Sequence, residues 1–341
     1  MLFHTIFFIN AQIEKRTVTV KKIDQKIILN GVLDENVWSE ADSAKDFWQQ
    51  FPTDSIKALD KTEVKLLYND THLFIGVIAN SIGGKYTINS LRRDYSSRNN
   101  DNVTILFDTF KDGQNGFLFG LNAYGVQREA LLSDRGIDAR GFNLNWDTKW
   151  KSASKNFDNK YVLEIAIPFS SIKYPENSKI WGFQSYRYDF QRNERSIWTN
   201  VVQNQFPINI GFFGEIIFEE PLKKNKTPLY IIPYINGLTS KEYSAIGKDN
   251  FLSIGGDFKI AVGTGLNLDI TLNPDFSNVE VDDVITNLTR FEITLPEKRQ
   301  FFIDNGDLFG SFGSFRDAIP FFSRRIGIEK DSEGNTIQND I

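Results

Sequence analysis

Four carboxylates in strand-like segments are the side chains whose chemistry would be hydrolytic. They are Asp101, Asp108, Glu164 and Glu194. Hydrolysis of a glycosidic bond needs two carboxylates placed across that bond, one of them with a raised pKa, and no motif in the sequence singles out such a pair. The chain has two histidines and no cysteine, so a multi-histidine zinc site, a Ser/His/Asp triad and a cysteine nucleophile have almost no residues to build on. These observations favour a protein without catalytic chemistry of its own.

A glycine turn gathers oxygen-bearing side chains that suit a metal ion. The stretch "DTFKDGQNG" supplies Asp108, Asp112 and Asn115 around a glycine. Oxygen-rich turns hold calcium in many proteins, although this spacing is not that of an EF-hand loop. A plain hairpin turn explains the same residues. Calcium binding and a hairpin turn are therefore both open at this point.

The balance of charge makes a nucleic-acid partner unexpected. The chain has 39 lysines and arginines against 44 aspartates and glutamates, a net charge of −5, with no long run of either sign. Proteins that bind nucleic acids carry a clustered basic excess that meets the phosphates. We expect no nucleic-acid partner.

Short apolar runs separated by turn residues dominate the chain up to about residue 220. Typical runs are "EVKLLY", "HLFIGVIA", "NVTILFDTF", "YVLEIAIPF" and "GFFGEIIF". Asn69 and Asp70 predict a hairpin between the first two runs, with His72 opening the second strand. Such a pattern predicts an all-β fold, an antiparallel β-sandwich, over residues 21–220.

One helical piece interrupts the strands. The stretch "LDENVWSEADSAKDF" places Asp34 where it would cap a helix, with Trp38 and Ala41 on the inward side. We assign Trp38 and Trp181 to the core.

The two borders of the sandwich differ in composition. Residues 1–20 contain a short apolar stretch that ends at Ala11, as in the remnant of a secretory signal peptide, and an apolar first strand is the alternative. Residues 221–228 form a charged stretch with a proline at each end, which predicts a linker. We expect no transmembrane helix, because no run of about 18 apolar residues occurs.

The segment 229–341 contains one strand with strict alternation. In "GTGLNLDITLN", residues 263–273, the apolar Leu266, Leu268, Ile270 and Leu272 alternate with the polar or charged Asn267, Asp269, Thr271 and Asn273. Strands of outer-membrane barrels alternate in this way over about ten residues, with the apolar side toward lipid. A soluble sheet with one face on a core gives the same pattern. The alternation alone therefore does not choose between lipid and a protein core.

Several ordered motifs resemble a known family. They include "IILNGVLDENVWSEAD", "DNVTILFDTFKDGQNGFLFGLNAYGVQREA", "YVLEIAIPFSSIKY" and "WGFQSYRYDFQRNERSIW", within about residues 24–219. These motifs are similar to the family 9 carbohydrate-binding module of the DOMON-like superfamily. The resemblance implies a jelly-roll β-sandwich that binds polysaccharide or oligosaccharide.

The second segment resembles a region that follows this module in Gram-negative outer-membrane proteins. Its motifs are "NPDFSNVEVDDVITNLTRFEITLPEKRQFFIDNGDLF" and "FFSRRIG". The resemblance implies that residues 229–341 begin a membrane β-barrel. Since a barrel needs at least about eight strands, we expect the chain to be the N-terminal part of a longer protein.

The resemblance also points to sugar contacts. Characterised relatives hold a sugar between two tryptophans, but the matching positions here fall at about 98–100 and near Phe206, where no tryptophan occurs. Other aromatic rings remain for stacking, with polar groups for the hydroxyls. The candidate ligand-binding residues are Trp146, Trp150, Trp198, Arg98, Asn100, Asp101, Arg187 and Glu194. For each tryptophan, burial in the core is the competing interpretation.

Together these observations predict a non-catalytic carbohydrate-binding module that acts in glycan capture or uptake. It would belong to the cell envelope, with the sandwich periplasmic or surface-exposed beside the outer membrane. A protein associated with glycoside hydrolases in carbohydrate catabolism, and a partner-docking sandwich with no sugar ligand, are the alternatives.

Overall fold

The computed structural model forms two compact units, Met1–Lys223 and Lys224–Ile341. The structure describes residues 15–137, 141–144, 146–223, 230–240, 249–262, 266–273, 321, 328–330 and 336–338. The predicted signal segment up to residue 14 lies outside these ranges, as do residues 274–320.

The first unit is built almost entirely of strands. The bounds are β1 Thr17–Lys22, β2 Ser43–Ala44, β3 Trp48–Phe51, β4 Thr62–Tyr68, β5 His72–Asn80, β6 Asn102–Asp108, β7 Gly116–Asn122, β8 Gln127–Leu132, β9 Phe142–Asn143, β10 Lys151–Phe157, β11 Lys160–Pro168, β12 Ser178–Asp189, β13 Glu194–Ile197 and β14 Gly214–Leu222. One helix, α1, spans Val37–Glu40. The all-β prediction for this unit is confirmed.

Within the described residues these fourteen strands form one curled sheet. The main path runs β10-β11-β5-β4-β1-β14-β12-β6-β7-β8-β9, and β13 extends it from β12 to β3. Strand β1 joins the two halves because its first part pairs with β14 and its last part with β4. Both of these pairings are parallel, so the expectation of a purely antiparallel sandwich is wrong at this junction.

Aromatic side chains fill the interior between the two halves of the sheet. The Trp181 ring is completely buried and lies 4.9 Å from Phe218 and 5.8 Å from Phe107, centroid to centroid. Trp38 is buried on the opposite side of the β4-β5-β11 half, where it packs with Phe74 and Ala166. Assignment of Trp38 and Trp181 to the core is therefore confirmed.

The helical piece is much shorter than its sequence predicts. The N-cap is Asn36, which makes no side-chain capping bond, and Asp34 does not cap the helix. Glu35 secures the start instead, because its carboxylate accepts from the Ile28 amide at 2.8 Å and from the Trp38 indole at 3.1 Å. The structure thus corrects the capping prediction, whereas the inward placement of Trp38 and Ala41 is confirmed.

Two local predictions, the hairpin at Asn69–Asp70 and the linker at 221–228, can be compared with the structure. The Asn69 amide donates to the His72 carbonyl at 3.0 Å, which closes the predicted hairpin, and His72 opens β5. At the end of the first unit, β14 continues to Leu222. The first two residues of the predicted linker, Pro221 and Leu222, therefore belong to a strand.

The second unit contains a three-stranded antiparallel sheet. Its strands are β15 Tyr230–Ser240, β16 Asp249–Val262 and β17 Leu266–Leu272. A separate pair joins β18 Ile328–Lys330 to β19 Thr336–Gln338. Among the residues described, no helix has the length and apolar composition needed to cross a membrane.

Alternation gives the three-stranded sheet one apolar side. Directly paired residues of an antiparallel sheet project to the same side, and the register pairs Ile235 with Ile254, Ile260 with Leu268 and Gly256 with Leu272. Eight aliphatic side chains of this side are between 37% and 74% exposed. We call it the apolar face, and it comprises Ile231, Ile235, Leu252, Ile254, Ile260, Leu268, Ile270 and Leu272.

Candidate functional site

The outer side of the β12-β6-β7-β8 half carries a row of four paired residues. In register these are Tyr186 on β12, Thr104 on β6, Gly120 on β7 and Arg128 on β8. They project to the side opposite the Trp181 interior, because they alternate with core residues such as Phe119. We call this row with its flanking aromatic residues the Arg128 face.

Local sequence explains how Arg128 reaches this position. The turn before β8 is held by Asn122, whose side-chain oxygen accepts from the amides of Tyr124 at 3.0 Å and Val126 at 2.9 Å. That turn fixes the phase of the strand, so Arg128 and Ala130 lie on one side and Glu129 on the other. On the neighbouring strand Gly120 has no side chain, which leaves room for the guanidinium to lie across β7.

Arg128 is a buried charge with incomplete pairing. Arg128 is 5% exposed, and its Nη1 lies 3.5 Å from the Tyr186 hydroxyl oxygen. The guanidinium lies 4.9 Å from the centroid of the Phe142 ring. Its Nε has no hydrogen-bond partner, and no carboxylate among the described residues forms an ion pair with it. A buried guanidinium in this state has an N–H group that lacks an acceptor.

The charge of Arg128 changes the pKa of the Tyr186 hydroxyl. Burial by itself raises the pKa of its hydroxyl, but the positive charge of Arg128 and hydrogen bonds with Thr104, Arg128 and Ser97 outweigh burial and lower the pKa below its ordinary value. The hydroxyl is therefore a polarised donor beside the guanidinium. Both groups lie in an otherwise apolar cluster with Leu106 and Ile197.

Half-buried aromatic rings surround this polar pair. Phe142, Tyr188, Phe206 and Phe212 pack against the same cluster without being fully covered. Tyr188 stacks on Phe190 with ring centroids 6.2 Å apart, and its hydroxyl oxygen accepts from the Arg195 guanidinium at 3.3 Å. Partly exposed rings beside open hydrogen-bond donors suit a ligand with both an apolar surface and hydroxyl groups.

The three tryptophans predicted to stack on a ligand are buried. Trp146 and Trp150 are each 7% exposed and lie 6.0 Å and 5.5 Å from Phe119, ring to ring. Trp198 is 1% exposed and lies 5.1 Å from Phe183, with the Arg16 guanidinium over its ring. In this conformation they do not form an exposed platform, although Trp150 borders a pocket at the edge of the sheet. A ligand-binding role for them stays a prediction.

The polar residues predicted beside them divide into one exposed and four buried groups. Arg98 is exposed, in a short 3-10 turn at Ser97–Asn99. Asn100 is buried, where its side chain accepts from the Asn89 amide at 2.8 Å and donates to the Ser96 carbonyl at 2.8 Å. Both of its polar atoms are thereby engaged in fixing the loop before β6.

The other three buried residues also serve internal contacts. Asp101 accepts from the Phe190 amide at 2.8 Å, and burial raises its pKa. Arg187 donates to Asp189 at 2.8 Å and to the Thr62 hydroxyl at 3.2 Å. Glu194 accepts from the Gln49 side chain at 2.6 Å. In the described part of the chain no hydrogen bond, ion pair or ring contact joins these residues to the three tryptophans, so the predicted site is not assembled as one cluster.

The glycine turn engages most of its own side-chain oxygens, but the buried Asp108 Oδ1 has no hydrogen-bond partner. Asp112 accepts from the Asn115 amide at 2.9 Å and from the Asn115 side-chain nitrogen at 3.0 Å, while Asp108 accepts from the Gly113 amide at 3.1 Å. Burial raises the pKa of Asp108. Among the described residues no group of three or more histidine, aspartate or glutamate side chains is arranged to hold a metal ion. The hairpin turn accounts for these contacts, and calcium at Asp108, Asp112 and Asn115 stays a prediction.

Sequence reasoning did not find Arg128 and Tyr186. A usable signal was present in "QREALL", where Arg128 has the same strand phase as the apolar Ala130 and Leu132. The two positions that the resemblance aligns with tryptophans do border this site. Ser97 hydrogen-bonds Tyr186, next to Arg98, and Phe206 packs on the cluster that contains Tyr186.

Comparison with known families and structures follows the division into two units. A model of a domain of unknown function (DUF5916) matches residues 225–340. Among solved structures, the chain is similar to a family 9 carbohydrate-binding module from Caldicellulosiruptor kristjanssonii in complex with cellotriose, at 18% identity and a TM-score of 0.42 over 60% of this chain and 94% of that chain. The same organism's module in complex with glucose matches at 17% identity and a TM-score of 0.43, over 62% of this chain and 100% of that chain.

A proposed carbohydrate-binding protein from Bacteroides uniformis ATCC 8492 matches at 12% identity and a TM-score of 0.46, over 60% of this chain and 100% of that chain. No curated protein matches the chain. The model of the family described as carbohydrate family 9 binding domain-like matches residues 29–220, more than half of the chain. The chain therefore belongs to the carbohydrate family 9 binding domain-like family.

Proposed function

We propose that the first unit is a carbohydrate-binding module whose ligand lies on the Arg128 face. The observation that carries this proposal is the buried Arg128 guanidinium, whose Nε has no hydrogen-bond partner and which forms no ion pair with a carboxylate of the described residues. Leaving a charged donor buried and unpaired costs several kcal/mol by order of magnitude. A ligand that supplies the missing acceptor would remove most of this free-energy cost.

A saccharide fits the remaining chemistry of the face. Its hydroxyl oxygens accept from the Arg128 guanidinium and from the polarised Tyr186 hydroxyl, and its apolar ring face packs on half-buried rings such as Phe142 and Tyr188. The Arg195 guanidinium is held by the Gln50 side chain at 2.7 Å and gives the face a second positioned cation. Family membership supports the same ligand class.

Affinity electrophoresis of the full chain through gels that contain single soluble polysaccharides tests this proposal. At least one neutral glycan is expected to retard the parent protein, and the Tyr186→Phe variant is expected to bind about tenfold more weakly because it loses one polarised donor but keeps its ring. Arg128→Gln is expected to weaken binding further. The folded state of each variant is checked by near-ultraviolet circular dichroism.

Tyr161→Phe is the matched control. Tyr161 is also a fully buried tyrosine, but its hydroxyl has no hydrogen-bond partner and it lies on β11 in the other half of the sheet. Its variant should bind as the parent does. The proposal fails if no glycan retards the parent, or if Tyr186→Phe and Tyr161→Phe migrate alike. In that case partner docking without a sugar ligand is the better account of the sandwich.

A second observation supports a membrane setting for the chain. The apolar face of the second unit presents eight large aliphatic side chains, with Ile235 74% exposed and Leu252 72% exposed. Soluble monomers rarely expose contiguous apolar patches of this kind. We propose that this face contacts the lipid of the outer membrane as the start of a barrel, and that the module captures glycans at the cell envelope, on the periplasmic or the outer side.

Fractionation of the cells that make the protein tests the membrane proposal. The native protein, detected with an antibody to the first unit, is expected in the outer-membrane fraction, with an electrophoretic band that shifts when the sample is boiled. A soluble band of about 39 kDa, the mass of this chain, would leave the apolar face to cover a protein core instead.

A further inference from the structure

A pocket lies at the edge of the first unit, and none of the residues that line it belongs to the Arg128 face. It has a volume of about 350 Å³ and is lined by His72, Arg93, Lys149, Trp150 and Lys151, together with Thr148 and Pro168. His72 and Pro168 are paired neighbours on β5 and β11. Lys151 begins β10, which ends the main path of the curled sheet. The pocket thus opens at an edge strand.

Positive charge in this pocket is only partly neutralised. The Arg93 guanidinium donates to the fully buried Glu129 and lies 3.5 Å from an Asp147 oxygen. Lys149 and Lys151 are exposed and form no ion pair within the described residues. Of the described residues, no aspartate or glutamate lines the pocket. Two ammonium groups without an ion-pair partner among the described residues therefore line one cavity, in a chain whose net charge is −5.

Buried contacts hold the walls of the pocket in place. The Trp150 indole donates to Glu129 at 3.2 Å, so the ring and Arg93 are anchored on the same carboxylate. The segment before β10 is tied to Ser171, which donates to the Lys149 carbonyl at 2.6 Å and accepts from the Thr148 hydroxyl at 3.1 Å. A site held in this way loses little conformational entropy when a ligand enters.

His72 adds a neutral hydrogen-bonding group. Its ring stacks on Phe74 with centroids 5.8 Å apart, and its Nδ1 lies 2.8 Å from the Thr71 hydroxyl. Burial lowers the pKa of the imidazole, and the charge of Lys151 lowers it further. The ring is therefore neutral near pH 7, and the lysines carry the charge that recognises a ligand.

We propose that this pocket is a second binding site, for an anionic sugar unit whose carboxylate or sulfate group is held by Lys149 and Lys151. The class of ligand rests on the proposed carbohydrate-binding function, whereas the site, its residues and its charge are independent of the Arg128 face. A pyranose ring fits the cavity, with Trp150 and His72 beside its apolar surface and Thr148 beside its hydroxyls.

Isothermal titration of the full chain with three oligosaccharides tests this site. The probes are an oligogalacturonate, which carries carboxylates, a heparin-derived oligosaccharide, which carries sulfates, and a neutral cello-oligosaccharide. One of the two anionic probes is expected to bind with an affinity that falls as salt is added. The Lys149→Gln/Lys151→Gln variant is expected to bind it about fivefold more weakly, while its neutral-sugar binding stays unchanged.

Lys155→Gln/Lys179→Gln is the matched control, because it removes the same charge from two exposed lysines, one of them on β10 itself, that do not line the pocket. It should bind as the parent does. Equal weakening by both double variants, or no binding of either anionic probe to the parent, would overturn the proposed site. Tyr186→Phe separates the two proposals: loss of neutral-sugar binding with intact anionic binding supports two sites, and anionic binding without any neutral binding leaves only this pocket.

Discussion

The Arg128 guanidinium crosses two strands to reach Tyr186, with Nη1 3.5 Å from the phenol oxygen. The residues between them in register are Gly120 and Thr104. Only a glycine and a short side chain leave enough room for the arginine to lie flat across the sheet. The charge and the hydroxyl that define the Arg128 face are thereby placed together by residues that need not touch the ligand.

Filling the space above Gly120 should weaken saccharide binding. A Cβ at this position would lie 3.4 Å from the Thr104 hydroxyl oxygen and 3.6 Å from the Arg128 Cβ, so alanine fits but the branched methyl groups of valine meet the guanidinium path. We expect Gly120→Val to reduce affinity for a bound neutral glycan about tenfold, and Gly120→Ala to have a smaller effect. Titration with that glycan measures both. Equal affinity of the valine variant and the parent would contradict the role given to this glycine.

Replacing the buried tryptophans should first affect stability. Trp198→Ala empties a space that Phe183 and Gly214 line, where even a Cβ on Gly214 would lie 2.5 Å from the indole. We expect a loss of about 3–5 kcal/mol in the free energy of unfolding, measured by urea denaturation. Trp48→Ala is the comparison, because Trp48 is half-buried with the Lys57 ammonium over its ring, and should cost clearly less. Similar losses would mean that the Trp198 site collapses around the smaller side chain.

The stability of the first unit should depend on pH through buried carboxylates such as Glu164. Burial raises its pKa above the ordinary value of 4.5, although the Asn30 and Gly31 amides donate to it at 2.7 Å. A raised pKa means that the folded state prefers the protonated form, so this contribution is complete below pH 4.5 and is lost as the pH rises through the folded-state pKa.

We therefore expect Glu164→Gln to lose less stability than the parent between pH 4.5 and neutral pH. The measurement is the free energy of unfolding in urea at several pH values. Glu176→Gln, at an exposed position, should keep the slope of the parent. Parallel curves for the parent and Glu164→Gln would contradict the assignment.

A charge on the apolar face should disturb membrane association, whereas the same charge on the other side of the strand should not. Ile270 and Thr271 are neighbours on β17, both are exposed, and they project to opposite sides. A charged side chain toward lipid destabilises a barrel, by about 2–4 kcal/mol for arginine or lysine at the bilayer midplane and by less for aspartate. We expect Ile270→Asp to reduce the outer-membrane fraction and Thr271→Asp to leave it unchanged, as measured by immunoblots of separated membranes.

Local patterns predicted the individual elements well, because each depends on nearby residues. The hairpin at Asn69–Asp70 and the strand phases around Trp181 follow from turn chemistry and alternation. The helix was overestimated, since "VWSE" is followed by residues that pair with β4 instead of continuing the helical turn. The parallel pairings of β1 were not foreseen because they join segments that are distant in the chain, such as Thr17 with Glu215 and Lys21 with Leu67.

For the candidate site, too, residue types could be predicted from the sequence, whereas their positions in the fold could not. Residue type predicted aromatic rings and polar groups suited to a sugar, but it could not say whether a tryptophan ring faces the interior or the solvent. Trp146, Trp150 and Trp198 are equally apolar in sequence, and only the packing of Phe119 and Phe183 against them decided that they are buried.

The sequence by itself determined the class of the fold, its family and the alternation of β17. Turn residues between short apolar runs indicate the fold class, the order of motifs indicates the family, and a period of two indicates the alternation. Tertiary structure alone decided which side of each strand is covered and which distant residues meet. Arg128 and Tyr186 are 58 residues apart and become neighbours only through β6 and β7. Burial and electrostatic interactions depend on which residues are close in space. Only the folded structure therefore shows that the buried Arg128 Nε lacks a hydrogen-bond partner.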